Sequence, residues 1–237
     1  MIARTLLRSL RVVEHLLTGA VIAVFIRLRY GQGARPAALA GVVRWWHRRL
    51  CRALDVELRI TGQPAPRCLL VGNHISWLDI PVIGSQDAIG FLAKADVRRW
   101  PLIGWMAEVA GTRFIERGGH QTDGVLGGLR QDLEEDRLLM IFPEGTTTDG
   151  RAVRRFHPRL FAAVQGTALD IQPIALSYRR GDDPAPDRLV PYVDDDTLVA
   201  NLWRLIRHPH LDASVHILPP LRISPHAPRR QIAEHAT

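Results

Sequence analysis

Residues 68–79 read Cys68-Leu69-Leu70-Val71-Gly72-Asn73-His74-Ile75-Ser76-Trp77-Leu78-Asp79. A short apolar run passes into a glycine and then into polar residues, the pattern of a strand that ends where a sheet meets solvent. That exit places His74 and Asp79 five positions apart. A neutral imidazole, with an ordinary pKa of about 6.5, is the usual side chain for taking a proton from a hydroxyl near neutral pH. A carboxylate within reach of the other ring nitrogen would hold the tautomer and stabilise the imidazolium as it forms. No Ser or Cys nucleophile sits in a recognisable elbow context, so the chemistry expected is direct attack by a substrate hydroxyl, with no covalent enzyme intermediate. Taken alone, H-x-x-x-x-D also fits a surface histidine paired with a carboxylate.

Outward from this exit, short β-like runs alternate with helical ones. Strands are expected at 56–60, 68–71, 90–93, 112–115, 138–142, 171–177 and 214–218, with helices at 78–84, 101–110, 125–135 and 159–165. The alternation implies an α/β fold with a mixed, largely parallel sheet flanked by helices, over residues 55–223. Sites in such sheets form beyond the carboxyl ends of strands, and His74, Arg117 and Glu144 each follow an expected strand within a few residues. Residues 224–237 read as a flexible tail.

The 237-residue chain is 46% hydrophobic, enough for one substantial core. Its two cysteines, Cys51 and Cys68, form neither a disulfide framework nor a metal site, which fits a reducing cytoplasm. The net charge of +7 is unevenly placed: residues 1–60 hold eleven arginines against three acids, whereas the remainder holds twenty basic and twenty-one acidic residues. Arginines flank and interleave apolar helical stretches there, and Trp45 and Trp46 stand together. That company suits an anionic membrane surface and argues against nucleic acid.

Residues 16–26 are the most apolar run, too short to cross a bilayer upright, which takes about twenty residues. Gly31, Gly33 and Pro36 mark a turn, and a second helix is expected over 37–54. Its Leu39, Val42, Val43, Trp46, Leu50 and Leu54 share one face, opposite Arg44, Arg48 and Arg52. Residues 1–54 thus read as a helix pair that lies in or dips into the membrane, or as an ordinary core-packed hairpin.

Two further stretches carry chemistry. In Phe142-Pro143-Glu144-Gly145-Thr146-Thr147-Thr148, an apolar strand ends in a turn that offers a carboxylate, a glycine and three hydroxyls. In Gly111-Thr112-Arg113-Phe114-Ile115-Glu116-Arg117-Gly118, Arg117 emerges at the expected sheet rim, where a guanidinium can clamp phosphate. Lys94, the only lysine, follows strand 90–93 and offers a second cation.

The order Asn73-His74-x-Ser76-x-x-Asp79, then Lys94 with Arg113–Gly118, then Phe142–Thr146, then Ile171-Gln172-Pro173-Ile174-Ala175-Leu176 resembles the four-block signature of the glycerolipid acyltransferase family. Its best-known branch is the 1-acylglycerol-3-phosphate (lysophosphatidic acid) acyltransferases. The resemblance covers residues 55–180 and extends to the basic N-terminal helix pair. It implies that His74 is the general base and that Asp79 orients it, while acyl carrier protein or coenzyme A supplies the acyl thioester. It assigns Glu144, Gly145 and Thr146 to the acceptor head group, and Arg117 with Lys94 to its phosphate. No metal and no cofactor beyond the thioester co-substrate is implied, and the setting is the cytoplasmic face of the inner membrane, peripheral or monotopic.

One departure bears on the acceptor. Phosphate-using relatives commonly carry Phe-Lys-x-Gly after the third block, whereas this chain has Phe156-His157-Pro158-Arg159. The 73–81 and 93–107 stretches also resemble the branch that acylates lyso-ornithine lipid. The family's majority activity puts 1-acylglycerol-3-phosphate first and lyso-ornithine lipid close behind. A thioester hydrolase and a non-catalytic lipid-binding protein are the other readings. The intact histidine and aspartate argue against the latter.

Overall fold

The computed structural model describes residues 2–31, 39–116 and 122–237. Its frame is a seven-stranded mixed sheet made of β1 (Val56–Thr61), β2 (Cys68–Gly72), β3 (Ile89–Lys94), β4 (Arg113–Ile115), β5 (Leu138–Ile141), β6 (Asp170–Arg179) and β7 (Leu211–Ile217), in the order β1-β7-β6-β2-β5-β3-β4. Strands β2 to β6 run parallel, while β1 and β7 pair with each other and join β6 in the antiparallel sense. This is the expected fold class. Every residue of central β2 is buried. Leu70 packs into the core on one face of the sheet, and Leu69 and Val71 into the core on the other. A strand covered on both sides shows a continuous apolar run, which is why 68–71 lacks alternation.

Helices α3 (Asp79–Gly84), α4 (Ala95–Arg98), α5 (Ile103–Val109) and α6 (Thr122–Glu134) follow the strands, and Pro158–Ala163 is a 3₁₀ turn where an α-helix was expected. Two elements depart further from the sequence reading. Helix α7 (Leu198–Arg207) was not anticipated, although Thr197 caps it by accepting the Ala200 N–H at 3.2 Å. Residues 224–237 are not a loose tail: α8 (Arg229–Ala236) buries Ile232, Ala233 and Ala236 in the second core, an apolar face too short to stand out in sequence.

The N-terminal pair comprises α1 (Ile2–Tyr30) and α2 (Leu39–Leu54), and the turn positions Gly33 and Pro36 lie outside the described residues. At 29 residues, roughly 43 Å, α1 is long and apolar enough to cross a membrane, with a mean hydropathy of 1.7 over its most apolar 18 residues. The helix exceeds the 16–26 run because apolar residues continue through its arginine flanks. One side packs on α2, α5 and α7. The other exposes Leu6, Leu10, Val13, Leu17, Val21 and Val24, spaced three or four residues apart and hence one stripe. An open apolar groove of about 660 Å³, lined by Phe25, Tyr30, Leu39 and Trp45 among others, continues that surface between the two helices.

Not all the arginines of this segment face outward. Arg8 is 2% exposed and donates to the carbonyls of Ile206 and His208 and to Asp55. Arg4 donates to the Pro209 carbonyl and Arg48 to that of Ser85, while Arg49 pairs with Glu14. Arg11, Arg27, Arg29, Arg44 and Arg52 are exposed and carry no ion pair among the described residues. The inward face of α2 is rotated from the one expected, to His47, Cys51 and Leu54, because α3 packs against it and Gly84 admits the His47 ring.

Burial, with His15 adding to it, pushes the His47 pKa down to about 4. The unfolded chain therefore takes up this proton first, so stability is full above about pH 6.5 and falls as the pH drops from there toward 4, by on the order of 2–3 kcal/mol. His47→Phe should reduce the fall of thermal-melting midpoints across that window by roughly half, since burial holds the His15 pKa at about 4 as well.

Candidate active site

The site begins with the way β2 ends. A Cβ on Gly72 would lie 2.7 Å from the Ile174 carbonyl oxygen and from the Met140 methyl, so only glycine fits. Asn73 then continues the pairing with its side chain, donating to the Leu176 carbonyl at 3.0 Å and accepting the Leu176 N–H at 2.8 Å. The chain leaves the sheet at His74 with its direction fixed.

His74 is held on three sides. Its Nδ1 lies 2.7 Å from Asp79 Oδ2, and its ring stacks on Phe142 at 4.0 Å and 13°. Its N–H donates to Glu144 Oε1 at 2.8 Å, while its carbonyl accepts the Thr148 N–H at 2.8 Å. With a carboxylate at Nδ1, that nitrogen carries the proton, and Nε2 is the free base. Nε2 has no partner among the described residues, and the side chain is 20% exposed.

Asp79 is fully buried as the first residue of α3. Its Oδ2 also accepts the N–H groups of Ile75 (2.7 Å) and Ser76 (3.1 Å), and its Oδ1 accepts the Tyr178 hydroxyl at 2.7 Å. A buried carboxylate needs such donors to remain charged. The bond closes the six-residue loop 74–79 around the imidazole and presents Nε2 at the rim. This arrangement can remove a proton from a bound hydroxyl.

Glu144, expected to meet an acceptor head group, turns inward instead. It is 3% exposed, and its oxygens accept the backbone N–H groups of His74 (2.8 Å) and Arg154 (3.0 Å). Burial raises its pKa, and those two bonds oppose the rise. It joins the His74 loop to the segment after the threonine turn. Glu144→Ala should strand both amides, lower stability by roughly 1–3 kcal/mol and reduce turnover at least about tenfold, with Glu144→Gln between wild type and Ala. Melting curves and rates on the same preparations check this.

Gly145 turns the chain at φ +68°. Thr147 donates to the Tyr192 carbonyl, and Thr148 to that of His74. The Thr146 hydroxyl forms no hydrogen bond among the described residues and stands at the half-exposed rim. Lys94 ends β3, on the same edge of the sheet as His74 and two strands away, roughly 10 Å. Arg117 lies outside the described residues.

The structure adds a wall that the motifs did not indicate. The Tyr192 N–H bonds to the Ile75 carbonyl at 3.0 Å, and its ring meets Trp100 edge-on at 6.3 Å. Trp77 Nε1 donates to Asn201 of α7 at 2.8 Å. No short motif spans these contacts. Elsewhere Glu57, His210 and Asp212 converge on the β1–β7 edge with Arg59 between the two carboxylates, as an ion-pair network does.

Comparison with known proteins agrees with this geometry. An acyltransferase family model matches residues 55–177, which include both the His74 loop and the threonine turn. The lyso-ornithine lipid O-acyltransferase of Pseudomonas aeruginosa is 43% identical over 223 residues, covering 92% of this chain and 85% of that protein. The 1-acyl-sn-glycerol-3-phosphate acyltransferase of Neisseria meningitidis is 30% identical, covering 76% and 71%. The crystal structure of the 1-acyl-sn-glycerophosphate (LPA) acyltransferase PlsC from Thermotoga maritima shares the fold, with a TM-score of 0.66 and 17% identity over 99% of this chain and 91% of that one. With its dyad, its sheet and its sequence all in accord, the chain belongs to the acyltransferase family and is an acyltransferase enzyme.

Proposed function

We propose that the enzyme moves a fatty acyl group from an acyl thioester, carried by acyl carrier protein or coenzyme A, to the free hydroxyl of lyso-ornithine lipid. The observation that carries the transfer is the His74–Asp79 dyad, with an unpartnered Nε2 at the sheet rim. Nε2 takes the acceptor's hydroxyl proton as the oxygen attacks the thioester carbonyl. The tetrahedral oxyanion collapses, the carbon–sulfur bond breaks, and the imidazolium returns the proton to the leaving sulfur. Asp79 stabilises the imidazolium in between.

The acceptor assignment rests on the 43% identity with the Pseudomonas relative over nearly the whole chain. Lys94 and the Neisseria relative favour the second reading, 1-acylglycerol-3-phosphate, in which Lys94, Arg117, Gly145 and Thr146 hold the phosphate and head group.

The stripe on α1 and its free arginines support monotopic association with an anionic bilayer, on the cytoplasmic face of the inner membrane where the thioester is available. Membrane fractions offered the two lysolipids side by side, with His74→Ala as control, test the assignment. Transfer to lyso-ornithine lipid is expected. Transfer to the phosphate acceptor alone would move the assignment to the second reading, and fatty acid release without an acceptor would replace both with a hydrolase.

A further inference from the structure

We propose that Tyr178 is a positioning residue for acyl transfer, the third member of a Tyr178–Asp79–His74 chain that sets how firmly His74 holds its proton. The inference rests on the reading of His74 as the base.

The two oxygens of Asp79 are not equivalent. Oδ2 receives His74 Nδ1 and the two loop amides, all from residues within five positions of the aspartate. Oδ1 receives one donor among the described residues, the Tyr178 hydroxyl at 2.7 Å, from 99 positions away. The local loop therefore builds half of the carboxylate's surroundings, and β6 supplies the other half. Tyr178 is 2% exposed within the core that also contains Cys51, Leu70 and Val215. Its backbone is fixed by pairing with Ala213 and by the Asp187 N–H, which its carbonyl accepts at 2.9 Å. Phenylalanine would serve that apolar setting equally well. The hydroxyl is explained by the carboxylate it meets.

The phenol remains a donor throughout the working pH range. Burial, and then the Asp79 charge, push its pKa well above 10, and the nearby Cys51 thiol is itself raised to about 12 by burial. A neutral O–H on Oδ1 draws charge from the carboxylate. Less charge then remains at Oδ2 to stabilise the imidazolium, so loss of the hydroxyl should strengthen the Asp79–imidazolium contact. The bond also fixes the plane of the carboxylate and hence the imidazole that bonds to it.

The test is the pH dependence of kcat/KM for the full chain on vesicles, comparing wild type, Tyr178→Phe, Asp79→Asn and the double variant. Tyr178→Phe should lower kcat roughly 10-fold, because the plane of the carboxylate, and with it the imidazole, is no longer fixed, and this loss outweighs the stronger base. It should also move the acidic limb to higher pH by about 0.5 or more, with KM little changed. In the Asp79→Asn background the same change should add almost nothing, because its route of action has gone. If Tyr178→Phe does not fold, 3-fluorotyrosine at position 178 preserves the shape and strengthens the donor, and it should move the limb to lower pH. An unmoved limb, or losses that add in the double variant, would reduce Tyr178 to a packing residue. His74→Ala in the same assay separates the two claims: full activity there overturns the base reading itself, whereas an inactive His74→Ala beside a normal Tyr178→Phe overturns this inference alone.

Discussion

His74→Ala should lower acyl transfer by roughly 10³-fold while leaving the fold almost untouched. The two halves of this expectation come from different parts of the residue. What His74 gives the fold is its backbone, since its N–H and carbonyl tie the loop to Glu144 and Thr148, and alanine retains both. The ring touches Phe142 and Asp79, and Asp79 keeps three other donors after truncation. What the proposed mechanism asks of the ring is the proton acceptor, and among the described residues no other group at the rim has the same disposition. A 10³-fold loss corresponds to about 4 kcal/mol of transition-state stabilisation. Rates from vesicle assays, read beside melting curves, check both halves. A variant that loses activity only because it no longer melts cooperatively would contradict the argument.

Asp79 should divide in the opposite way, according to the replacement. Asp79→Ala leaves the Ile75 and Ser76 amides, the Tyr178 hydroxyl and the His74 Nδ1–H without their acceptor in a fully buried site. The cost should be about 3–5 kcal/mol of stability, a large share of the total for a domain of this size. Asp79→Asn keeps one oxygen for the loop amides and turns its NH₂ toward Tyr178, whose oxygen can accept. It should therefore fold, at a loss of about 1–2 kcal/mol, and still lose roughly 10²- to 10³-fold in rate, since no negative charge remains to stabilise the imidazolium. Denaturant midpoints and kcat on both variants test this. An active Asp79→Asn would mean that orientation suffices and charge does not matter.

The frame of the enzyme was legible because its strands carry local signals. The run ending at Gly72, the run ending at Pro143 and the helix period of 39–54 each announce an element with little help from distant contacts. The dyad was legible for the same reason, since His74 and Asp79 lie only five positions apart. What escaped depends on contacts made across the chain. Tyr178 reaches Asp79 only because β6 pairs with β2, and nothing about a tyrosine in an apolar strand signals this. Tyr192 lines the crevice because Ile75 and Thr147 bind its backbone, which leaves no pattern in side-chain types. Glu144 was assigned to the acceptor head group by the family resemblance of its motif, which says nothing of the backbone around it. The amides of His74 and Arg154 instead draw it inward. Arg8 looked like part of a membrane-facing arginine set, yet it is sealed against the end of α7.

If His74 activates the acceptor hydroxyl for direct attack on the thioester, no acyl group passes through the protein. Mixing the enzyme with a radiolabelled acyl thioester, with and without lysolipid, and following thiol release and protein-bound label within one turnover tests it most directly. No labelled protein is expected, and thiol should be released only when the lysolipid is present, in step with acylated product. A burst of thiol with label on the protein, in the absence of acceptor, would contradict it.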